Sequence, residues 1–311
     1  MDSLIAEDVP YPYAGEADVI VKVRAACFTP DELGWPASWV DRSGRDRAPV
    51  IPGHEVSGEV AEVAVGTTGL SVGQRVLGLT DWNRDGTLAD YVSVEARNLA
   101  PLPADIDHTH AAALVMPGLT AWQGLFVHGR VETGQTVLVH GARGGVGMAA
   151  TQLAHGAGAR VIGSGRARSR EQVLELGADE FVDLEQPAWH EAVDRVDVVF
   201  DAVGGEVLDR SAAVLRPGGT LVTVAHPPTR RPEDGRAMYF IVEPNRDHLV
   251  QVVRICREGG LRPLVGAVRP LDQAPQVFRR RRRRRPGRRS STSPERPTAR
   301  RLLIAPRPRP G

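Results

Sequence analysis

The sequence predicts an α/β protein, a doubly wound parallel sheet attached to a smaller irregular β-barrel. Three observations predict it. From residue 136 onward, short β-branched apolar runs alternate with helical stretches, the pattern of parallel strands joined by crossover helices. The first of those runs ends in a glycine-rich turn that opens a helix. Residues 1–105, by contrast, lack helical periodicity and carry strand-like runs separated by Gly and Pro, as a small barrel does.

In chain order, the barrel strands are expected at Val19–Val23, Glu55–Val65, Gln74–Leu79 and Leu88–Val94. At His108 the texture changes, and Ala111–Leu114 and Leu119–Phe126 read as helix. Strands follow at 136–140, 160–164, 180–183, 197–201 and 220–225, with helices at 145–156, 169–176 and 206–215 between them. Asn245–Glu258 is an amphipathic helix, because Leu249, Val252, Val253 and Cys256 fall on one face. Leu264–Leu271 then returns the chain to the β-rich part. The expected division is therefore 1–107 with 245–278 for the barrel domain, 108–244 for the parallel-sheet domain, and 279–311 as a basic tail.

The segment Val131–Gly147, VETGQTVLVHGARGGVG, carries the strongest chemical signal. Thr136–His140 is long enough for one buried strand, and Gly141, Gly144, Gly145 and Gly147 let the backbone turn and approach a ligand. The next helix points its free N–H groups at that turn, a site suited to a pyrophosphate. The spacing differs from the common G-x-G-x-x-G, since Arg143 stands where the middle glycine would be and Val146 separates the last two glycines. Arg160–Ser164 completes a βαβ unit of about 30 residues. The end of that second strand selects the dinucleotide. An acid there would bind the ribose 2′-hydroxyl of NAD, but the chain has Ser164, Gly165, Arg166 and Arg168, and arginine forks pair with a 2′-phosphate. NADPH is the expected cofactor.

At 311 residues the chain is long enough for two domains, and its 41% apolar and 5% aromatic content is ordinary for a soluble protein. No apolar run approaches a membrane span, and MDSLIAEDVP has no secretory h-region. Cys27 and Cys256 are far apart and form no metal or redox motif, so a reducing cytoplasm is the expected compartment. The charge is unevenly spread. Residues 279–311 hold fourteen arginines and one acid, Glu295, while the rest holds twenty-five basic and thirty-seven acidic residues.

Six segments in order resemble the medium-chain dehydrogenase/reductase superfamily: PVIPGHEVSGEV (49–60), GLTAWQGLF (118–126), VLVHGARGGVG (137–147), ELGADEFVD (175–183), VDVVFDAVGG (196–205) and LRPGGTLVTVA (215–225). They are most similar to its zinc-independent quinone oxidoreductase branch, related to zeta-crystallin, over about residues 8–278. The resemblance implies a GroES-like barrel domain, a Rossmann domain, a cofactor in the cleft between them, and hydride transfer from NADPH to quinones or α,β-unsaturated carbonyls. It also implies cofactor contacts: Thr120 at the nicotinamide end, Gly144–Gly147 at the pyrophosphate, Ser164, Arg166 and Arg168 around the 2′-phosphate, Val203 and Gly204 under the ribose, and Ala225 and His226 near the nicotinamide. A homodimer and a small-molecule substrate are further expectations of the resemblance.

Zinc-dependent members use a Cys, the His of a G-H-E motif and a later Cys or Asp. Here Gly53-His54-Glu55 is kept, Thr29 rather than Cys27 falls at the first ligand position, and Met116-Pro117-Gly118 supplies none. No metal is therefore expected, and His54 is read as a structural hydrogen-bonding residue. Thr29 takes a position often held by Asn and is a candidate hydrogen-bond donor to a substrate carbonyl. Trp35 and Trp82 are candidates to stack on a flat quinone, with packing under a loop as the alternative. Asp31 and Glu32 are candidate polar groups of the site, with a solvated position as the favoured reading. No general acid stands out, and a quinone can take its proton from water.

Two features depart from the family. Against the family, the N-terminus is expected to lack a strand that usually precedes the segment matching Leu4–Pro10. After Phe278 the arginine run replaces a short segment and a final barrel strand, which a shifted reading frame in G/C-rich coding DNA would produce. Residues 279–311 are expected to be disordered. Two other functional readings stay open. One is a degenerate or crystallin-like NADPH-binding protein without turnover; the other is nonspecific nucleic-acid binding through the tail.

Overall fold

The computed structural model describes residues 4–29 and 32–275, together with the backbone of 289–292 and 300–304. It divides into two compact units. The first comprises Met1–Val115, Pro244–Val253 and Leu264–Gly311, and the second Met116–Glu243 and Arg254–Pro263.

The first unit begins with β1 (Leu4–Asp8), β2 (Asp18–Phe28), β3 (Glu55–Val63), β4 (Arg75–Leu79), β5 (Tyr91–Glu95) and β6 (Leu99–Pro101). β2 is its spine, pairing antiparallel with both β3 and β5. Its alternate residues Val19, Val21 and Val23 enter one apolar core with Val56, Val76, Val92 and Leu99. The expected strand at Leu88–Val94 starts later, at Tyr91. The cause is a competing partner: Gly86, Thr87 and Leu88 donate their N–H groups to Ile51, Gly53 and Pro52, which draws this stretch out of the ladder.

The helix α1 (His108–Trp122) follows, with Pro117 inside it, and the helical path continues as a wider π-type turn over Gln123–His128. The side-chain amide of Gln123 fixes that turn by exchanging two hydrogen bonds with the backbone of Glu243, at 2.8 and 3.1 Å.

The second unit then alternates β7 (Thr136–His140), α2 (Gly145–Gly156), β8 (Arg160–Gly165), α3 (Arg170–Glu175), β9 (Glu180–Asp183), β10 (Val196–Asp201), α4 (Gly205–Ser211), β11 (Leu215–Thr223) and β12 (Arg236–Tyr239). The six strands are parallel, in the order β12-β11-β10-β7-β8-β9. This is the doubly wound order with its switch point between β7 and β10, where ligands bind outside the carboxyl ends of the strands. Every residue of β7 is buried, as a central parallel strand requires. The strand expected at 220–225 begins five residues early, and the helix expected to reach 215 stops at Ser211. Arg216–Gly219 is absorbed as an irregularity in the β10–β11 register, between Val196 and Val198, so the Pro-Gly-Gly turn signal marks a bulge rather than a strand end.

α5 (Arg246–Arg257) is amphipathic as expected, with Leu249, Val252 and Val253 buried. The Arg246 guanidinium anchors its start by donating to the carbonyls of Leu99 and Ala96, at 2.6 and 2.7 Å. β13 (Val268–Pro270), β14 (Arg289–Thr292) and β15 (Arg300–Ile304) return to the first unit. Its larger sheet runs β13-β14-β2-β3-β4-β6, with β5 on β2, and β1 pairs with β15 in a separate two-stranded ladder. The last two strands correct the expectation of a tail disordered throughout. Their backbone groups satisfy the open edges of β2 and β1, which needs no particular side chains. The rest of 276–311 lies outside the described residues.

Candidate functional site

In the second unit, the carboxyl ends of β7, β8, β10 and β11 converge on the glycine turn. Gly141 takes a left-handed φ of 73° directly after β7. Gly144 N–H closes the turn onto the Gly141 carbonyl at 2.7 Å, and Ala142 N–H bonds the Ser164 carbonyl at 3.0 Å, which pins the turn to the end of β8. Gly147 lies buried in the first turn of α2, and a Cβ there would sit 2.1 Å from the Gly141 carbonyl oxygen. Only glycine lets the helix start this close to the strand end. Gly145, Val146 and Gly147 belong to the first helical turn, whose N–H groups have no partner within the helix. The cradle therefore fits a dinucleotide pyrophosphate. Arg143 is turned to α3, where its Nε bonds Gln172.

The end of β8 differs from expectation at one residue. Ser164 is fully buried, with its Oγ 2.6 Å from His140 Nδ1 and 3.3 Å from the Val139 carbonyl. Its hydroxyl is engaged with these buried partners. Arg166 and Arg168 remain at the surface. Arg166 lies 3.9 Å from Glu185 in a half-exposed pair, and Arg168 is exposed. Such a surface pair contributes little and yields readily to a phosphate.

Beyond β10, the buried carboxylate of Asp201 accepts N–H bonds from Val203 and Gly204 and the Thr223 hydroxyl at 2.7 Å. Thr223 Oγ1 in turn accepts the Ala225 N–H. The four residues Val203, Gly204, Ala225 and His226 are thereby gathered on two adjacent loops, and His226 Nε2 accepts the Gly205 N–H at 2.9 Å. Asp201 and Thr223 anchor these loops without having been expected to, although D-A-V-G is a legible Asx-turn signal. His140 is wholly buried, bridges Ser164 and Ser211, and stays neutral because burial pushes its pKa down. Thr120 is buried, and its hydroxyl donates to the Met116 carbonyl at 2.6 Å within α1. Its proton is thus committed, and only its oxygen lone pairs are free for a ligand.

In the first unit, Trp35 and Trp82 meet edge to face at 5.4 Å, and Trp82 packs against the His54 ring at 4.6 Å. His54 is 2% exposed, with Nδ1 3.1 Å from Thr80 Oγ1. Burial, aided by Arg47, lowers its pKa to about 4. Glu32 also departs from expectation. It is buried rather than solvated, and it accepts the N–H groups of Thr29 and Gly53.

The His54 shift has a consequence for stability. A histidine whose folded pKa falls from 6.5 to about 4 binds its proton more readily when unfolded. Its contribution is complete above about pH 6.5 and is lost as the pH falls toward 4, by at most about 3 kcal/mol. The melting temperature is expected to drop steeply between about pH 7 and pH 4.5, and His54→Gln should flatten that slope.

Family models match both units. Residues 15–104 match the alcohol dehydrogenase GroES-like domain, and residues 145–253 match the zinc-binding dehydrogenase domain. The chloroplastic NADPH-dependent alkenal/one oxidoreductase of Arabidopsis thaliana is 31% identical over 274 residues, covering 84% of this chain and 67% of that protein. The chain belongs to the medium-chain dehydrogenase/reductase superfamily. The quinone oxidoreductase from Coxiella burnetii superimposes with a TM-score of 0.81 at 25% identity, covering 91% of this chain and 93% of that one. The spectinabilin polyketide synthase system protein NorB of Streptomyces orinoci is 34% identical over 244 residues, or 73% of this chain. The chain spans 11% of the length of that protein. Members of this superfamily use nicotinamide cofactors. Among the described residues no group of three His, Cys, Asp or Glu side chains is placed to hold a metal ion. No helix among the described residues is long and apolar enough to cross a membrane.

Proposed function

We propose that this chain is a zinc-independent, NADPH-dependent oxidoreductase that reduces quinones or α,β-unsaturated carbonyls. The observation that carries the choice of cofactor is the end of β8, where two arginines stand at the surface in place of an acid. The glycine cradle would hold the pyrophosphate, Arg166 and Arg168 the 2′-phosphate, and the loops tied by Asp201 the ribose and nicotinamide end. NADPH supplies a hydride when bound.

The chain's own residues do the remaining work by position and electrostatics. The Trp35–Trp82 pair offers an aromatic wall for a flat acceptor. The Thr29 hydroxyl would donate to the acceptor carbonyl, where negative charge builds as hydride arrives. His54 is neutral at ordinary pH and buried, so it supports Trp82 rather than supplying a proton. The proton that completes reduction comes from water.

Trp82→Ala removes the middle ring of this wall. We expect the KM for phenanthrenequinone to rise about tenfold, with the KM for NADPH changed by less than about twofold. Steady-state kinetics on both substrates test it, and an unchanged quinone KM would remove Trp82 from the acceptor site.

A further inference from the structure

We infer that Glu32 is the positioning residue of the acceptor wall, holding Thr29, Trp35 and the Gly53–His54 turn in one register. The inference rests on the oxidoreductase reading above for what the wall binds, but its geometry stands alone.

Glu32 sits in TPDELGW, a stretch that reads as a solvated turn, yet it is 1% exposed. Its Oε1 accepts the Gly53 N–H at 2.5 Å and its Oε2 the Thr29 N–H at 2.9 Å. Its backbone carbonyl accepts the Trp35 N–H at 3.0 Å and the Ser38 hydroxyl at 2.9 Å. Its own N–H donates to the Thr29 carbonyl at 3.0 Å. One residue thus joins three separate stretches: the exit of β2, the turn bearing Trp35, and the lead into β3. From Gly53 the chain passes directly to His54, whose ring packs on Trp82, and Trp82 meets Trp35. The circuit closes on itself.

A carboxylate is costly to bury unless its oxygens are bonded, and bonds from backbone N–H groups to an ionised acceptor are the strong kind. The two N–H groups lie 24 residues apart in sequence and need two acceptor oxygens at once. A glutamine has one. In Glu32→Gln the amide NH2 must face one of the two donors, which releases either Thr29 or the Gly53–His54 turn.

The test compares Glu32→Gln with Asp18→Asn in the full chain. Asp18 is a similarly buried carboxylate at the opposite end of β2, paired with Arg84 at 2.6 Å. Both variants should melt earlier. Only Glu32→Gln should raise the phenanthrenequinone KM, by about tenfold, leave the NADPH KM within about twofold, and shift tryptophan emission to the red. If the wild type turns over no quinone, the proposed reaction fails, and quenching of tryptophan emission by phenanthrenequinone then decides the inference without turnover. About tenfold weaker quenching in Glu32→Gln sustains it. Equal quinone KM and equal quenching in the two variants would overturn it, leaving Glu32 a purely structural anchor.

Discussion

Gly147→Ala is expected to weaken NADPH binding at least about a hundredfold while the protein stays folded. The new methyl group would lie 2.1 Å from the Gly141 carbonyl oxygen and 2.7 Å from its carbon. Both neighbours are backbone, so no side-chain rotation relieves the clash. The start of α2 must lift from the turn after β7, and the N–H groups of its first turn lose their common focus. Gly144→Ala provides the scale. Its Cβ would meet the same oxygen at 3.2 Å, a contact that a few tenths of an ångström relieves, so a loss below about tenfold is expected there. Calorimetric titration with NADPH reads both values. A folded Gly147→Ala protein that binds NADPH as the wild type does would remove the glycine turn from the cofactor site.

The second large effect is on cofactor choice. Arg166→Ala with Arg168→Ala should lower kcat/KM for NADPH about thirtyfold and leave that for NADH within about twofold. The figure follows from about 1 kcal/mol for each surface guanidinium on a phosphate. Raising the salt concentration should shrink the difference between wild type and variant, because these pairs are solvent-screened. The burial of Ser164 sharpens this prediction. An acid introduced to favour NADH belongs at Gly165 or Arg166. Ser164→Asp would instead place a carboxylate against His140 inside the sheet, and should destabilise the fold without changing cofactor preference. Equal use of NADPH by wild type and double variant would assign the 2′-phosphate to other residues.

Five of the six parallel strands were legible because they are short apolar runs bounded by Gly, Pro or polar residues, whereas β12, Arg-Ala-Met-Tyr at the exposed edge, carries no such signal and was not expected. For β7, α2 and β9 the expected bounds coincide with the observed ones. Elements shifted where a backbone partner far along the chain competes with local pattern. Residues 86–88 leave the ladder for residues 51–53, and Pro217-Gly218-Gly219 bends within a strand rather than ending it. The glycine cradle was readable because its geometry demands one residue type. Asp201, Thr223, His140 and Glu32 were not read as anchors. A polar residue looks the same in sequence whether it faces water or bonds buried N–H groups, and burial is decided by tertiary pairing. Ser164 shows the same in reverse, a polar residue at a strand end that lies buried against His140. Trp35 and Trp82 stand 47 positions apart in sequence, and only the fold brings them together.

The most direct test of the account is parallel oxidation of NADPH and NADH by the purified full chain, with phenanthrenequinone as acceptor. Quinone-dependent oxidation of both is expected, with kcat/KM for NADPH at least about tenfold higher. A folded protein that binds NADPH but oxidises neither cofactor, with quinone or with an α,β-unsaturated ketone, would contradict it.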